Sequence, residues 1–114
     1  KTLEYDDYLF LSVGAHSRFL RVSSIKCVYA AGVYTELYTS DDQQLLVHKS
    51  LNEWEQRLPE KYFTRIHRGT IINVEYVERI VRLFNYSFQV FLQNIPKPFV
   101  MSRRYAAKLK DKMG

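Results

Sequence analysis

The sequence predicts a fold built almost wholly from antiparallel strands, with one short helix after the fifth strand and another at the C-terminus. Three observations predict it. Short runs of alternating apolar and polar residues follow one another with little more than a turn between them, the spacing of hairpins rather than of crossover connections. The alternation gives way to helical spacing at only two places, after Ser50 and after Ser102. Nine Tyr and seven Phe among 114 residues supply the flat side chains that pack well on a pleated surface.

Taken in order, Tyr8-Leu9-Phe10-Leu11-Ser12-Val13 is the first run, closed by Gly14, and Arg18-Phe19-Leu20-Arg21-Val22 follows after a tight connection. Lys26-Cys27-Val28-Tyr29-Ala30 leads to a bend at Ala31-Gly32, and Val33-Tyr34-Thr35-Glu36-Leu37-Tyr38-Thr39 returns from it. The Ser40-Asp41-Asp42 cluster is a turn before Gln44-Leu45-Leu46-Val47-His48. Ser50-Leu51-Asn52-Glu53 then reads as a capping box, in which the Ser hydroxyl and the Glu carboxylate each satisfy a backbone N–H that the first helical turn leaves free. Leu51, Trp54 and Leu58 follow at helical spacing and Pro59 stops the run. This helix is expected to cover an open face of the sheet.

Strand character resumes at Phe63-Thr64-Arg65-Ile66, is interrupted by His67-Arg68-Gly69, and returns at Thr70-Ile71-Ile72-Asn73, which is expected to run into a tight helical turn. Alternation from Val77 to Leu83, a turn at Asn85-Tyr86, and a run from Ser87 to Leu92 make a further hairpin. After the loop Gln93-Asn94-Ile95-Pro96, Phe99-Val100-Met101 is the last strand. Ser102 then caps a helix with Tyr105, Leu109 and Met113 on one stripe and Lys108, Lys110 and Lys112 elsewhere around it.

The chain is 46% hydrophobic and 25% charged, a globular composition that excludes intrinsic disorder, and its length suits a single domain over residues 1–114. Its one cysteine, Cys27, excludes an intrachain disulfide and is expected to be a small buried strand residue. No apolar stretch nears the roughly 18 residues of a membrane span, so no membrane contact is expected. Residues 1–60 hold six Lys/Arg and nine Asp/Glu, a balance of −3, whereas residues 61–114 hold eleven and three, a balance of +8. That asymmetry suits either a polyanion-binding face in the second half or a merely solvated basic surface.

Two arginine positions carry the sharpest chemistry. A guanidinium offers parallel donors that match the O6 and N7 acceptors of guanine in the major groove. Arg68 stands beside Gly69 at a break between strands, where a side chain can project past the sheet edge, and its competing reading is a surface ion pair with Glu75 or Glu78. Arg103 and Arg104 follow the cap residue Ser102, at a helix end whose free N–H groups and partial positive charge favour phosphate; the alternative is that they only solubilise the helix. His67 can donate to a phosphate or brace its loop, and the brace is preferred. Lys49, Arg65 and Lys97 are weaker candidates for phosphate contact. His16 and His48 are expected to be exposed polar residues without partners. There is no Gly-rich phosphate loop, no His/Cys ligand spacing and no nucleophile elbow, so neither catalysis, a metal nor a cofactor is expected.

Three segments in order resemble the LytTR family of DNA-binding domains. They are Tyr29-Ala30-Ala31-Gly32-Val33-Tyr34-Thr35, then Phe63-Thr64-Arg65-Ile66-His67-Arg68-Gly69-Thr70-Ile71-Ile72-Asn73, and last Val100-Met101-Ser102-Arg103-Arg104-Tyr105. The helix at 50–58 and the Leu58-Pro59 pair also fall where the family has them. The resemblance implies an elongated stack of small antiparallel sheets, with loops that enter successive major grooves on one side of a DNA duplex. It implies base contacts from Arg68, from Arg104, and from Thr35 with Tyr34 near the first bend. It also implies phosphate-positioning or loop-shaping roles for His67, Gly69, Ser102 and Arg103. The first bend departs from some members in offering neither an amide nor an imidazole at Val33-Tyr34-Thr35.

By that resemblance the chain is the effector domain of a bacterial two-component response regulator acting in the cytoplasm. Since it does not begin with Met, it is expected to be the C-terminal fragment of a longer regulator, preceded by a phosphorylatable receiver domain. Its partner is then double-stranded DNA bearing promoter repeats, bound as a dimer with half-sites ~10–21 base pairs apart. The competing function is an all-β protein-interaction module that uses exposed aromatics.

Overall fold

The computed structural model describes all 114 residues, Lys1–Gly114. Strands β1 (Tyr8–Val13) and β2 (His16–Arg21) form a hairpin, followed by β3 (Ile25–Ala31), β4 (Tyr34–Thr39) and β5 (Gln44–Val47). Helix α1 (Leu51–Arg57) precedes β6 (Phe63–His67) and β7 (Thr70–Asn73). Then come β8 (Val77–Arg82), β9 (Phe88–Leu92), β10 (Phe99–Met101) and α2 (Arg103–Met113). The expected helical turn after Asn73 is a 3-10 turn, Val74–Tyr76, opened by the Asn73 side chain accepting from the Glu75 N–H. The strands pair in three small antiparallel sheets, β1-β2, β5-β4-β3-β7-β6 and β10-β9-β8, in a molecule 44 × 28 × 24 Å in extent. This is the elongated, mostly β architecture that the sequence predicts. No helix is long and apolar enough to cross a membrane.

The sheets stack because the central one is apolar on both faces. Successive strand residues point to opposite sides. Val28, Leu37 and Ile71 therefore join one core with Leu9, Leu11 and Leu20 of the first hairpin and Leu51, Trp54 and Leu58 around α1. Their neighbours Cys27 and Ile72 join a second core with Ile66, Val90, Leu92, Ile95 and Met101, against the third sheet. β3, in the middle, is buried on both sides. Burial pushes the Cys27 thiol up to about 12, so it behaves as a small apolar residue and not as a nucleophile. Helix α2 packs along β6, the edge of the five-stranded sheet, with Ala106 and Leu109 on the second core. Met113, which the sequence groups with Tyr105 and Leu109, is 48% exposed in the last turn.

Lys26 is a buried cation, with Nζ 3.1 Å from an Asp42 carboxylate oxygen and 2.7 Å from the Gln93 carbonyl. It fastens the start of β3 to the β4–β5 turn and to the β9–β10 loop. Two of the tight turns depend on glycine: Gly14 (φ 62°) and Gly32 (φ 68°) each lead a two-residue hairpin turn, where a positive φ matches the twist of the flanking strands.

Helix α1 is fixed at its start and in its middle. The capping box is complete, with Ser50 Oγ accepting from the Glu53 N–H at 3.1 Å and the Glu53 carboxylate accepting from the Ser50 N–H at 2.9 Å. Trp54 is fully buried, and its indole N–H donates to Thr35 Oγ1 at 2.8 Å. The same hydroxyl donates to the Lys49 carbonyl at 2.9 Å, so one buried oxygen joins β4, α1 and the link from β5.

Two predictions follow from this packing. Trp54→Ala removes a fully buried indole and is expected to destabilise by about 3–5 kcal/mol. Thr35→Val leaves the indole N–H and the Lys49 carbonyl without that partner, at about 1–3 kcal/mol. Denaturant titration checks both, and an unchanged midpoint for either contradicts the described core. The hydrogen bonds from Ser50 hold the Glu53 carboxyl below its usual range near 4.5. A lowered folded value contributes stability that is full above the unfolded value and is lost as pH falls through the folded one. Melting between neutral and strongly acid pH is therefore expected to show a smaller acid loss for Glu53→Gln than for the parent, and equal losses speak against it.

Candidate nucleic-acid interface

Strand direction decides what stands at each end of the five-stranded sheet. The ends of β3, β5 and β6 and the starts of β4 and β7 lie together, because every neighbouring pair is antiparallel. From β5 to β6 this edge carries His48 and Lys49, then the Gly32-Val33 bend with Tyr34, then the Arg68-Gly69 hairpin. Neighbouring strands stand about 4.8 Å apart, so the edge is ~19 Å long.

Backbone hydrogen bonds fix the loops in this row. The Ala30 N–H donates to the Gly69 carbonyl at 2.9 Å, tying the second loop to the strand that leads into the first. The Ser102 N–H donates to the Ile66 carbonyl at 2.9 Å, attaching the start of α2 beside the end of β6. Ser102 Oγ accepts from the Tyr105 N–H at 3.3 Å, which caps α2 at this end of the sheet. Three loops separate in sequence are thus neighbours in space.

Within the row the predicted residues divide by what their side chains already hold. Arg68, Arg103 and Arg104 are exposed and make no ion pair; the molecule's two salt bridges are Lys26–Asp42 and Arg65–Glu55, so Arg68 does not pair with Glu75 or Glu78. Arg65 is committed inward. Its guanidinium donates to Glu55 Oε1 and Asn52 Oδ1, both at 2.8 Å, and to the carbonyls of His67 and Arg68. It therefore joins α1 to the β6–β7 hairpin and shapes the loop that carries Arg68. His67 Nδ1 accepts from the Gly69 N–H at 3.2 Å, the brace expected from the sequence. Gly69 does not require a positive φ, and a Cβ there would meet its nearest atoms at ordinary van der Waals distance.

Three placements differ from expectation. Thr35 is 1% exposed and its hydroxyl is used by Trp54 and Lys49, so it belongs to the core and presents nothing to a base. Period-two parity explains this: Thr35 lies two residues before Leu37 and shares its inward face. Tyr34, one residue earlier, is 41% exposed and remains the side chain offered by the first bend. Lys97 leaves the row altogether. It lies on the loop whose Gln93 carbonyl is bound by Lys26, at the far end of β3. His48, which the sequence marks only as a scattered polar residue, stands at the row's end with its ring 5.0 Å from Tyr34. Only the β4–β5 register, Thr35 opposite Val47, reveals that neighbour. Lys49 is half-buried, with its ammonium 5.6 Å from the Trp54 ring. No three His, Cys, Asp or Glu side chains gather as a metal site requires.

The family model for the LytTr DNA-binding domain matches residues 15–114. A sensory transduction protein LytR of Staphylococcus saprophyticus is 34% identical over 83 residues, 73% of this chain and 32% of that protein. One from Staphylococcus epidermidis is 38% identical over 66 residues, 58% of this chain and 26% of that protein. The chain thus spans between a quarter and a third of the length of these relatives. Among solved structures, the LytTr DNA-binding domain of a Bacillus cereus protein described as a methyl-accepting/DNA response regulator superposes with a TM-score of 0.82. It is 22% identical, with 94% of this chain and 96% of that one covered, a likeness of fold. With the family model matched over nearly its whole length, the chain belongs to the LytTR family of DNA-binding domains.

Proposed function

We propose that the domain binds duplex DNA sequence-specifically by laying the loop row along one side of the helix, with its loops entering successive major grooves. The observation that carries this reading is that Arg68, on the β6–β7 hairpin, and Arg104, in the first turn of α2, stand on the row exposed and without an ion pair, on backbone held by hydrogen bonds. A backbone held this way needs little further ordering when its arginine meets the O6 and N7 atoms of a guanine, and each such pair contributes roughly 1–3 kcal/mol of discrimination. Arg103, beside the α2 N-terminus, serves a phosphate and fixes register, as does Lys49 at the other end. Tyr34 with His48 forms the contact of the first loop. Arg65, His67, Gly69 and Ser102 shape the loops and do not themselves read sequence.

In the longer protein the domain, taken as residues 1–114, is the output part of a cytoplasmic response regulator. A phosphorylatable receiver precedes it and promotes dimerisation on repeated promoter half-sites. Contact with two grooves from one side bends the duplex, so deformable steps between them contribute to specificity.

An interaction module is the other reading, and the first hairpin favours it, with Phe10 66% and Phe19 68% exposed and their rings 5.2 Å apart. Salt separates the two: phosphate-based binding weakens steeply as ionic strength rises, and an apolar contact does not. On the best DNA sequence Arg104→Ala is expected to cost about 1–3 kcal/mol and to relax preference at one position, measured by competition among single-base variants of the site. An equal loss on every sequence would make Arg104 a phosphate contact instead.

A further inference from the structure

The third sheet has an end on the same side of the molecule as the row, since β10 leads into Ser102 beside the end of β6. In the third sheet Met101 pairs with Phe88 and Phe88 with Arg82, so Arg82 stands level with the end of β10, two strands farther out. At about 4.8 Å per strand that is ~10 Å, or about three base-pair steps along a duplex. The hairpin beyond it is a formed turn. The Leu83 N–H donates to the Ser87 carbonyl at 2.8 Å, the Tyr86 N–H to the Leu83 carbonyl at 3.1 Å, and Ser87 Oγ to Asn85 Oδ1 at 2.6 Å.

What this hairpin presents is unusual for its contribution to the fold. Five of the six β8 residues are exposed, so the outer strand buries little. At the tip Phe84 is 100% exposed and Tyr86 60%. Arg79 and Arg82 are exposed, and neither takes part in an ion pair. The Arg79 guanidinium lies 3.8 Å over the Phe91 ring, which orders it on the outer face of the sheet. An apolar tip on a cationic strand, at the same end of the molecule as the row, fits a polyanion whose surface also has apolar parts. Duplex DNA has both, phosphates at the groove rims and sugars within the minor groove.

We propose that the β8–β9 hairpin is a further DNA-contacting element, in which Arg82 meets a phosphate and Phe84 lies against the minor-groove sugars flanking the block read by Arg104. This rests on the reading given above, and it extends the footprint on one flank by about three base pairs. The contact adds affinity without base preference, because it reaches backbone and sugars.

The test is fluorescence anisotropy with labelled duplexes over a salt series. The proteins are the 114-residue chain, Arg82→Ala, Phe84→Ala and Arg104→Ala, each first checked for an unchanged melting curve. One duplex carries the selected site with long flanks, and a second is cut back to the edge of the Arg104 block. Arg82→Ala is expected to weaken binding to the long duplex by about three- to tenfold on all sequences, and to lower the salt slope by about one. Phe84→Ala weakens it at an unchanged salt slope. On the short duplex both variants match the parent. Parental affinity and salt slope for both hairpin variants on the long duplex, with Arg104→Ala still relaxing base preference, overturn the hairpin contact and leave the main reading standing. A parent protein with neither base preference nor salt dependence overturns both.

Discussion

Two backbone hydrogen bonds, from the Ala30 N–H to the Gly69 carbonyl and from the Ser102 N–H to the Ile66 carbonyl, set the positions of the loops on which any function must be built. Each is of ordinary strength, about 0.5–1.5 kcal/mol net. Their consequence is geometric. Residues 30, 69 and 102 are far apart in sequence, and these contacts draw three turns into one line at one end of the sheet. A loop free in solution would lose much of its ordering entropy on meeting a partner, whereas loops ordered in the fold have already lost it. The β6–β7 hairpin carries a second restraint, because Arg65 reaches from beneath it to Asn52 and Glu55 of α1.

That restraint ties the helix to the shape of the loop row. Trp54 holds α1 on the sheet through the shared Thr35 hydroxyl, and α1 in turn holds Arg65. Packing, capping and loop shape therefore form one chain of dependence, from a buried indole to an exposed Arg68. Stability and loop shape are coupled along it. Arg68 at its outer end is exposed and makes no ion pair, and this leaves it available for a ligand.

Most of the fold was legible in the sequence, because period-two alternation, a complete capping box and glycine turns each have a local cause. The alternating runs locate every strand to within a few residues, and Asn73 does turn the chain into a 3-10 segment. The site was less legible, for a physical reason. Whether a polar residue near a turn is free or committed depends on partners distant in sequence. The resemblance implies a base contact for Thr35, yet parity with Leu37 places it inward, and its partner Trp54 lies 19 residues on. Charge alone groups Lys97 with the interface, whereas the Lys26 contact to Gln93 draws its loop toward the opposite end. No motif marks His48, because its pairing with Tyr34 follows from register.

The central claim is that Arg68 and Arg104 read separate blocks of one site. Selection of bound duplexes from a random pool at near-physiological salt tests it most directly, with Arg68→Ala and Arg104→Ala carried in parallel. The account predicts a motif of two short blocks, one degraded in each variant while the other persists. A single block lost equally in both variants, or no enrichment from a folded protein that binds DNA of any sequence alike, would contradict it.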